Sequence, residues 1–300
     1  MNFSEYQNAA QKTDQAPYLL LDDIKSLMIP LLGLAGESGS LLNHYKRFLR
    51  DGEAYTIFRD RVSEELGDIL WNVANIATKT RLNLDDVAKM NLEKIGDRWN
   101  DSSDGPGSKL FDSSFPRNEQ FPRNFEIEVR SELMQHDNKA HVQLFFKDCP
   151  FGSELTDNAY EDDGYRLHDV FHLAFLARLG WSPVLRGKNF FKCKRKSVPD
   201  VDEVQDGGRA AVIEEAIAAL MFTEAKKNSF FKGVDSVEYS LLRTIKDLTA
   251  HLEVSVCSGR EWEITILEAF KIWRELKISH SGKIVGDLVE KTLKFVPDKN

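Results

Sequence analysis

Apolar residues recur at helical spacing through most of the first hundred positions of this chain. This spacing predicts a short helix after Ser4 and three longer helices at about 31–49, 58–78 and 84–99. In the third helix, Glu65, Asp68 and Asn72 follow one another at three- and four-residue spacing. They run beside an apolar stripe made by Leu66, Ile69, Leu70, Val73, Ile76 and Ala77. An acidic row therefore borders the buried face of this helix.

The pattern changes after position 99. Residues 100–108 are Asn, Asp, Ser, Gly and Pro in place of an apolar period, so we expect a linker there. The run 125–129 alternates apolar and charged residues, and 141–146 is rich in residues that favour strands. With a turn at 136–139 between them, they predict a β hairpin. Helical spacing then returns near 165–180, 209–226, 238–252, 260–276 and 284–294.

These patterns predict a mainly α chain with two domains. Residues 1–99 would form a helical module, residues 100–124 a linker and lead-in, and residues 125–300 a mostly helical α+β domain that opens with the hairpin. A helical module of this size cannot cover both faces of its acidic helix pair by itself, so we expect a homodimer or a higher homo-oligomer.

Composition narrows the function classes. The chain of 300 residues is 42% apolar and 29% charged, as expected for a globular protein. It shows neither a secretory signal pattern nor an apolar run of the roughly 20 residues that cross a bilayer, which predicts a cytoplasmic protein with no membrane partner. The three cysteines form no Cys-x-x-Cys pair. A net charge of −8 disfavours duplex nucleic acid, so a small nucleotide is the more plausible polyanion.

Two predicted helices carry the first candidate site. Glu37, Ser40 and His44 share one face of the second helix, as Glu65, Asp68 and Asn72 share one face of the third. A single acidic pair beside an apolar stripe is usually a solvated flank. Two facing rows of oxygen ligands, however, are what Mg²⁺ prefers when it holds substrate phosphates.

The fourth predicted helix carries a cation-rich face beside this site. Asn91, Lys94 and Arg98 share that face and are candidates to hold a phosphate chain.

Three strings resemble the MazG-like all-α nucleotide pyrophosphohydrolases in order and spacing. They are Gly33–Gly39, Glu64–Trp71, and Asn91–Ile95 with Arg98. The resemblance covers about residues 1–99. It implies a Mg²⁺ site, with Mn²⁺ as an alternative ion, made by Glu37, Glu65 and Asp68.

The same resemblance implies the chemistry: hydrolysis of a nucleoside triphosphate to a monophosphate and pyrophosphate. Asn91 and Lys94 would contact the nucleotide substrate, and Asn72 and Arg98 are further substrate-binding candidates. One position departs from the family, because Ser40 stands where a fourth carboxylate is expected. The alternative is therefore a catalytically weakened, nucleotide-binding regulatory protein.

A second candidate site lies in the other half. His168 and His172 are spaced i, i+4, with Asp169 between them, and Glu214 and Glu215 lie on a later predicted helix. Two imidazoles and a glutamate suit Zn²⁺, Mn²⁺ or Fe²⁺ better than Mg²⁺. The alternative to a metal site is that each histidine has a structural role and bonds a carbonyl in the core.

Three readings remain open for this half. Residues 120–295 resemble the carboxy-terminal domain that accompanies some MazG-like modules, which assigns no chemistry. The adjacent His168 and Asp169 resemble HD-type phosphohydrolases, for which His136 and Asp206 are conceivable further ligands. Phosphohydrolase chemistry at His168, His172 and Glu215 is the third reading.

Overall fold

The computed structural model describes residues 1–14, 24–99, 110–134, 139–157 and 159–298. The chain divides into two compact units, Met1–Gly96 and Asp97–Asn300. The expected linker at 100–108 and most of the expected hairpin turn at 136–139 lie outside the described residues.

The helices expected in the first unit are confirmed. They are α1 (Phe3–Gln11), α2 (Ile24–Asp51), α3 (Phe58–Lys79) and α4 (Leu84–Trp99), with a 3₁₀ turn at Gly52–Ala54. A capping box starts α1: the Asn2 side chain accepts the backbone N–H of Glu5, whose carboxylate accepts the backbone N–H of Asn2.

A glycine sets the approach of α2 to α3. A Cβ atom at Gly33 would lie 2.5 Å from Oδ1 of Asn72, a buried side chain of α3. Any larger residue at this position would collide with the buried Asn72 amide, so the amide or the two helices that carry the acidic rows would have to shift. Gly36 and Gly39 have no such neighbour within 4 Å.

The second unit contains a five-stranded antiparallel sheet with the order β3-β2-β1-β4-β5. Its strands are β1 (Asn124–Met134), β2 (Lys139–Phe146), β3 (Cys149–Leu155), β4 (Gly282–Asp287) and β5 (Thr292–Pro297). Phe125, Ile127 and Val129 alternate inward along β1, and Val129 pairs with Leu144 of β2. The expected hairpin is therefore confirmed as β1 and β2.

The second unit also contains α-helices. They are α5 (Asp169–Leu179), α6 (Pro199–Val204), α7 (Gly208–Lys227), α8 (Tyr239–Thr249) and α9 (Gly259–Ser279). Every residue of α5 except Arg178 is buried. The core around it includes Trp181, Trp262 and Trp273, each no more than 1% exposed. In the described part of the chain, no helix is long and apolar enough to cross a membrane.

The helix expected at 284–294 is wrong, because these residues form β4, a turn and β5. Ile284 and Leu288 have the i, i+4 spacing of a helix, although burial along β4 alternates with a period of two. Gly286 belongs to this strand because a Cβ atom there would lie 2.2 Å from the ring of Phe125 on β1. A glycine on the inward face hides the alternation from a hydrophobicity pattern.

A buried ion-pair network ties the loops of the second unit together. Arg195 is 1% exposed, and its guanidinium lies 2.6 Å from Asp206 and 2.8 Å from Glu253. Asp206 also lies 3.4 Å from Arg186, which in turn contacts Asp112 at 3.2 Å. The network satisfies charges that would otherwise be buried without partners.

Candidate functional site

Three carboxylates converge between α2 and α3. Oxygens of Glu37, Glu65 and Asp68 all lie within 4.8 Å of one another. Glu37 and Glu65 are half-buried, and Asp68 is exposed. The cluster therefore has an inner side against the two helices and an outer side open to solvent.

The charges of this cluster are mutually repulsive. A hydrogen bond to Glu65 raises the pKa of Glu37, and desolvation and repulsion by Glu65 and Asp68 add to the effect. Glu37 thus holds a proton more readily than an isolated glutamate. A cation placed among the three oxygens would relieve the same repulsion.

His44 links the cluster to a buried tyrosine. Its Nε2 lies 3.2 Å from Oε1 of Glu65, and its Nδ1 lies 2.7 Å from the hydroxyl of Tyr55. The two rings are stacked, and the guanidinium of Arg47 lies 4.2 Å from the centre of the Tyr55 ring. His44 therefore fixes the position of the Glu65 carboxylate.

The other residues expected in this site do not belong to the three-carboxylate cluster. Asn72 is buried, and its amide donates to the backbone carbonyl of Asp68 at 2.9 Å. Ser40 is half-buried on α2, one turn after Glu37. Asn91 and Lys94 are exposed on α4, outside the carboxylate cluster. The side chain of Arg98 lies outside the described residues.

A second cluster lies in the other unit, at the start of α5 and on α7. Oε2 of Glu215 lies 3.5 Å from Nε2 of His172 and 3.8 Å from Nε2 of His168. The ligand atoms of these three residues all fall within 4.8 Å of one another. His172 is fully buried, whereas nearly half of the Glu215 side chain is exposed.

Both imidazoles are held by their Nδ1 atoms. Nδ1 of His172 lies 2.8 Å from a carboxylate oxygen of Glu214, and Nδ1 of His168 lies 3.0 Å from the backbone carbonyl of Tyr165. The ring of Tyr165 also stacks on His168. These contacts direct both Nε2 atoms towards Glu215.

Glu214 is itself fixed by three donors. It is fully buried and accepts the hydroxyl of Ser182 at 2.6 Å and the backbone N–H of Val184 at 2.8 Å, in addition to His172. Glu214 therefore orients His172 and does not share the space between the two Nε2 atoms. The sequence places Glu214 and Glu215 side by side, and only the structure separates their roles.

Charge accumulates around His172. Burial lowers the pKa of this imidazole, but the carboxylates of Glu214 and Glu215 outweigh that effect and raise the pKa to about 10. Burial opposes ionisation of Glu215, yet its contact with His172 lowers the pKa of the carboxyl. Burial raises the pKa of Asp169, whose Oδ1 lies 3.7 Å from Nε2 of His168.

The further ligands conceivable for an HD-type site do not join this cluster. Asp206 bonds the guanidinium of Arg195 in the ion-pair network. His136 lies outside the described residues.

Comparison with known proteins agrees with the two-part organisation. Residues 32–102 match the MazG nucleotide pyrophosphohydrolase domain, and residues 106–299 match the MazG C-terminal domain. The chain belongs to the MazG family. The Gene 37 protein of Mycobacterium phage L5 is 36% identical over 101 residues, which are 33% of this chain and 89% of that protein. No solved structure matches the chain.

The sequence did not predict three residues that hold the ligands of the two clusters in place. Tyr55 lies just after a 3₁₀ turn, where no helical period identifies it. Ser182 and Val184 lie in the segment after α5, and neither residue type indicates that it binds a glutamate. His44 shares the predicted face of Glu37, and this shared face was the one available signal.

Proposed function

We propose that this chain hydrolyses nucleoside triphosphates to monophosphate and pyrophosphate at Glu37, Glu65 and Asp68, with Mg²⁺ as the preferred ion. The observation that carries the proposal is the convergence of three carboxylates from two helices, within 4.8 Å, inside the segment that matches the MazG nucleotide pyrophosphohydrolase domain. Three carboxylates at this separation repel one another, and a cation bound among them relieves that repulsion.

The donor set fits the ion. All three residues offer carboxylate oxygens, which are the ligands that Mg²⁺ and Mn²⁺ prefer. The raised pKa of Glu37 indicates a position at which a cation would replace a shared proton. Bound there, Mg²⁺ would offset phosphate charge and lower the pKa of an attacking water.

The chain's own residues have distinct parts in the proposed reaction. His44 holds Glu65 in position, and the exposed Asp68 lies on the side from which substrate arrives. Water attacks phosphorus, a carboxylate of the cluster accepts its proton, and the phosphoanhydride bond between the α- and β-phosphates breaks with pyrophosphate as the leaving group. We assign the phosphate contacts to Asn91 and Lys94, with Arg98 as a further candidate.

We also propose that a second copy of this chain covers the first unit. The buried apolar residues of its described part are small or few: Ala10, Ala74, Ala77 and Leu84 form the cluster. Large apolar residues are exposed on α2 and α4 instead, and they include Leu32, Leu42, Leu49, Met90 and Leu92. An apolar surface of this extent is typical of an interface between subunits.

The products of one reaction test the proposed activity. The full chain is incubated with each nucleoside triphosphate and Mg²⁺ or Mn²⁺, and the products are separated by anion-exchange chromatography. We expect equimolar pyrophosphate and monophosphate, and none when a chelator removes the metal. Release of orthophosphate and a nucleoside diphosphate would contradict the proposed cleavage between the α- and β-phosphates. Nucleotide binding without any product would favour the regulatory alternative, in which Ser40 has disabled the site.

A further inference from the structure

We propose that the second unit contains a binding site for a divalent transition-metal ion, formed by His168, His172 and Glu215. This site is separate from the carboxylate cluster of the first unit and does not depend on the function proposed for that cluster. Three features of the cluster support an ion there: the spacing of the ligand atoms, the orientation of the two rings and one buried nitrogen.

The spacing agrees with coordination of one ion. Two ligands bound to Zn²⁺ at about 2.1 Å in tetrahedral geometry lie about 3.4 Å apart. Oε2 of Glu215 lies 3.5 Å from Nε2 of His172 and 3.8 Å from Nε2 of His168. These separations are too long for good hydrogen bonds between the groups, and they leave room for an ion among them.

The orientation of the rings is that of metal ligands. Metal-binding histidines usually donate the other ring N–H to a carboxylate or a backbone carbonyl, which leaves a lone pair for the metal. His172 donates from Nδ1 to Glu214, and His168 donates from Nδ1 to the carbonyl of Tyr165. The cluster therefore contains both common types of outer partner.

One buried nitrogen lacks a hydrogen bond. Among the described residues, Nε2 of His172 makes none, since its nearest charged neighbour, Glu215, lies 3.5 Å away, although Nδ1 of the same ring is well bonded. A buried nitrogen of this kind costs free energy unless something fills the space that it faces. It points towards the ligand atoms of His168 and Glu215, which is where an ion would lie.

The site is also reachable. Nearly half of the Glu215 side chain is exposed, and the same residue lines a cavity of about 310 Å³ beside the start of α7, so the glutamate side of the cluster is open to solvent. Three protein ligands leave at least one coordination position free, which is the arrangement of catalytic rather than structural zinc sites. The mixed nitrogen and oxygen donors favour Zn²⁺, Mn²⁺ or Fe²⁺ over Mg²⁺.

The test measures metal binding with the first cluster disabled. The full chain carrying Glu65→Gln and Asp68→Asn is freed of metal and titrated with Zn²⁺ in a calorimeter and with Co²⁺ in a visible spectrometer. We expect one bound equivalent of Zn²⁺ per chain and the visible absorption of Co²⁺ held by nitrogen and oxygen ligands. Binding of neither ion would overturn the proposal, whatever nucleotide activity the wild type shows.

Two further variants of this titrated chain identify the ligands. His168→Ala and Glu215→Gln change partly exposed side chains, so each is expected to leave the fold intact, which circular dichroism verifies. Each should weaken Zn²⁺ binding by more than the roughly 10- to 100-fold that loss of an outer partner costs. Two matched controls should leave the affinity for Zn²⁺ unchanged. They are His251→Ala, at an exposed position, and Glu224→Gln, on the opposite face of α7. Equal weakening by variants and controls, or by neither, would contradict the ligand set.

Discussion

Ser40 stands where the resemblance to the MazG-like pyrophosphohydrolases implies a fourth carboxylate. It lies one turn after Glu37 on the same face of α2 and is half-buried. A hydroxyl can hold a water molecule but adds no charge, so the cluster has three carboxylates where the pattern has four. We infer that this position sets the strength of metal binding.

Replacement of Ser40 by glutamate should therefore strengthen the site. The added carboxylate faces the same space as Glu37, so Ser40→Glu should lower the Mg²⁺ concentration needed for half-maximal pyrophosphate release by several-fold, on the order of 1 kcal/mol of binding free energy. Ser38→Glu is the control, because it adds the same charge about 200° away on the helix. An equal effect of both variants would mean that Ser40 does not face the site.

Only some of the residues in the two candidate sites are predictable from the sequence. Glu37, Glu65 and Asp68 could be selected because helical periodicity places them on facing rows. The orientation of His168 and His172 could not, because it depends on a carbonyl of Tyr165 and on Glu214, and no spacing rule distinguishes Glu214 from Glu215. Asn72 was expected at the substrate, and the structure shows it packed against Gly33.

At the scale of elements, the long helices were predictable and the last hairpin was not. The apolar stripes of α2 and α3 continue over many turns, so the helical period is unmistakable. β4 and β5 are six residues each, and the inward glycines Gly282 and Gly286 remove two apolar positions from the alternation. Short strands with glycine at inward positions show little alternation of apolar and polar residues in the sequence.

The contact between α2 and α3 gives a prediction for Gly33. A Cβ atom there would lie 2.5 Å from the buried amide of Asn72, so Gly33→Ala should destabilise the fold by about 1–3 kcal/mol through overpacking and weaken the carboxylate cluster. Gly36→Ala meets no atom within 4 Å and should be neutral or stabilising by up to about 1 kcal/mol. Thermal unfolding of both variants measures the difference. Equal melting temperatures would show that the helices do not approach as described.

The ion-pair network of the second unit gives another prediction. Asp206→Ala would leave the guanidiniums of Arg195 and Arg186 buried with one partner fewer, at a cost of about 3–5 kcal/mol. Asp200→Ala, an exposed position on α6, is the control and should have little effect. A melting temperature of Asp206→Ala close to that of the control would show that this network contributes little to stability.

At the scale of the whole molecule, the first unit has more exposed than buried large apolar residues in its described part. Leu42, Tyr45 and Leu49 form one exposed stripe on α2 at helical spacing. We expect sedimentation velocity to show a dimer or a larger assembly of the wild type, and Leu42→Glu with Leu49→Glu to shift it towards monomer. Val256→Glu, an exposed apolar position of the second unit, should not. A monomeric wild type would refute the assembly.

Two neighbouring glutamates on α3 allow a direct test of whether the carboxylate cluster is the catalytic site. Glu65 belongs to the carboxylate cluster, whereas Glu64 lies one residue away and pairs with Arg61 at the surface. The measurement is the rate of pyrophosphate release from nucleoside triphosphate, with Mg²⁺, by the wild type, Glu65→Gln and Glu64→Gln. Loss of a metal-binding charge should reduce the rate for Glu65→Gln by about 100-fold or more, while Glu64→Gln stays near the wild type. Full activity of Glu65→Gln, or equal loss in both variants, would contradict the assignment of catalysis to this cluster.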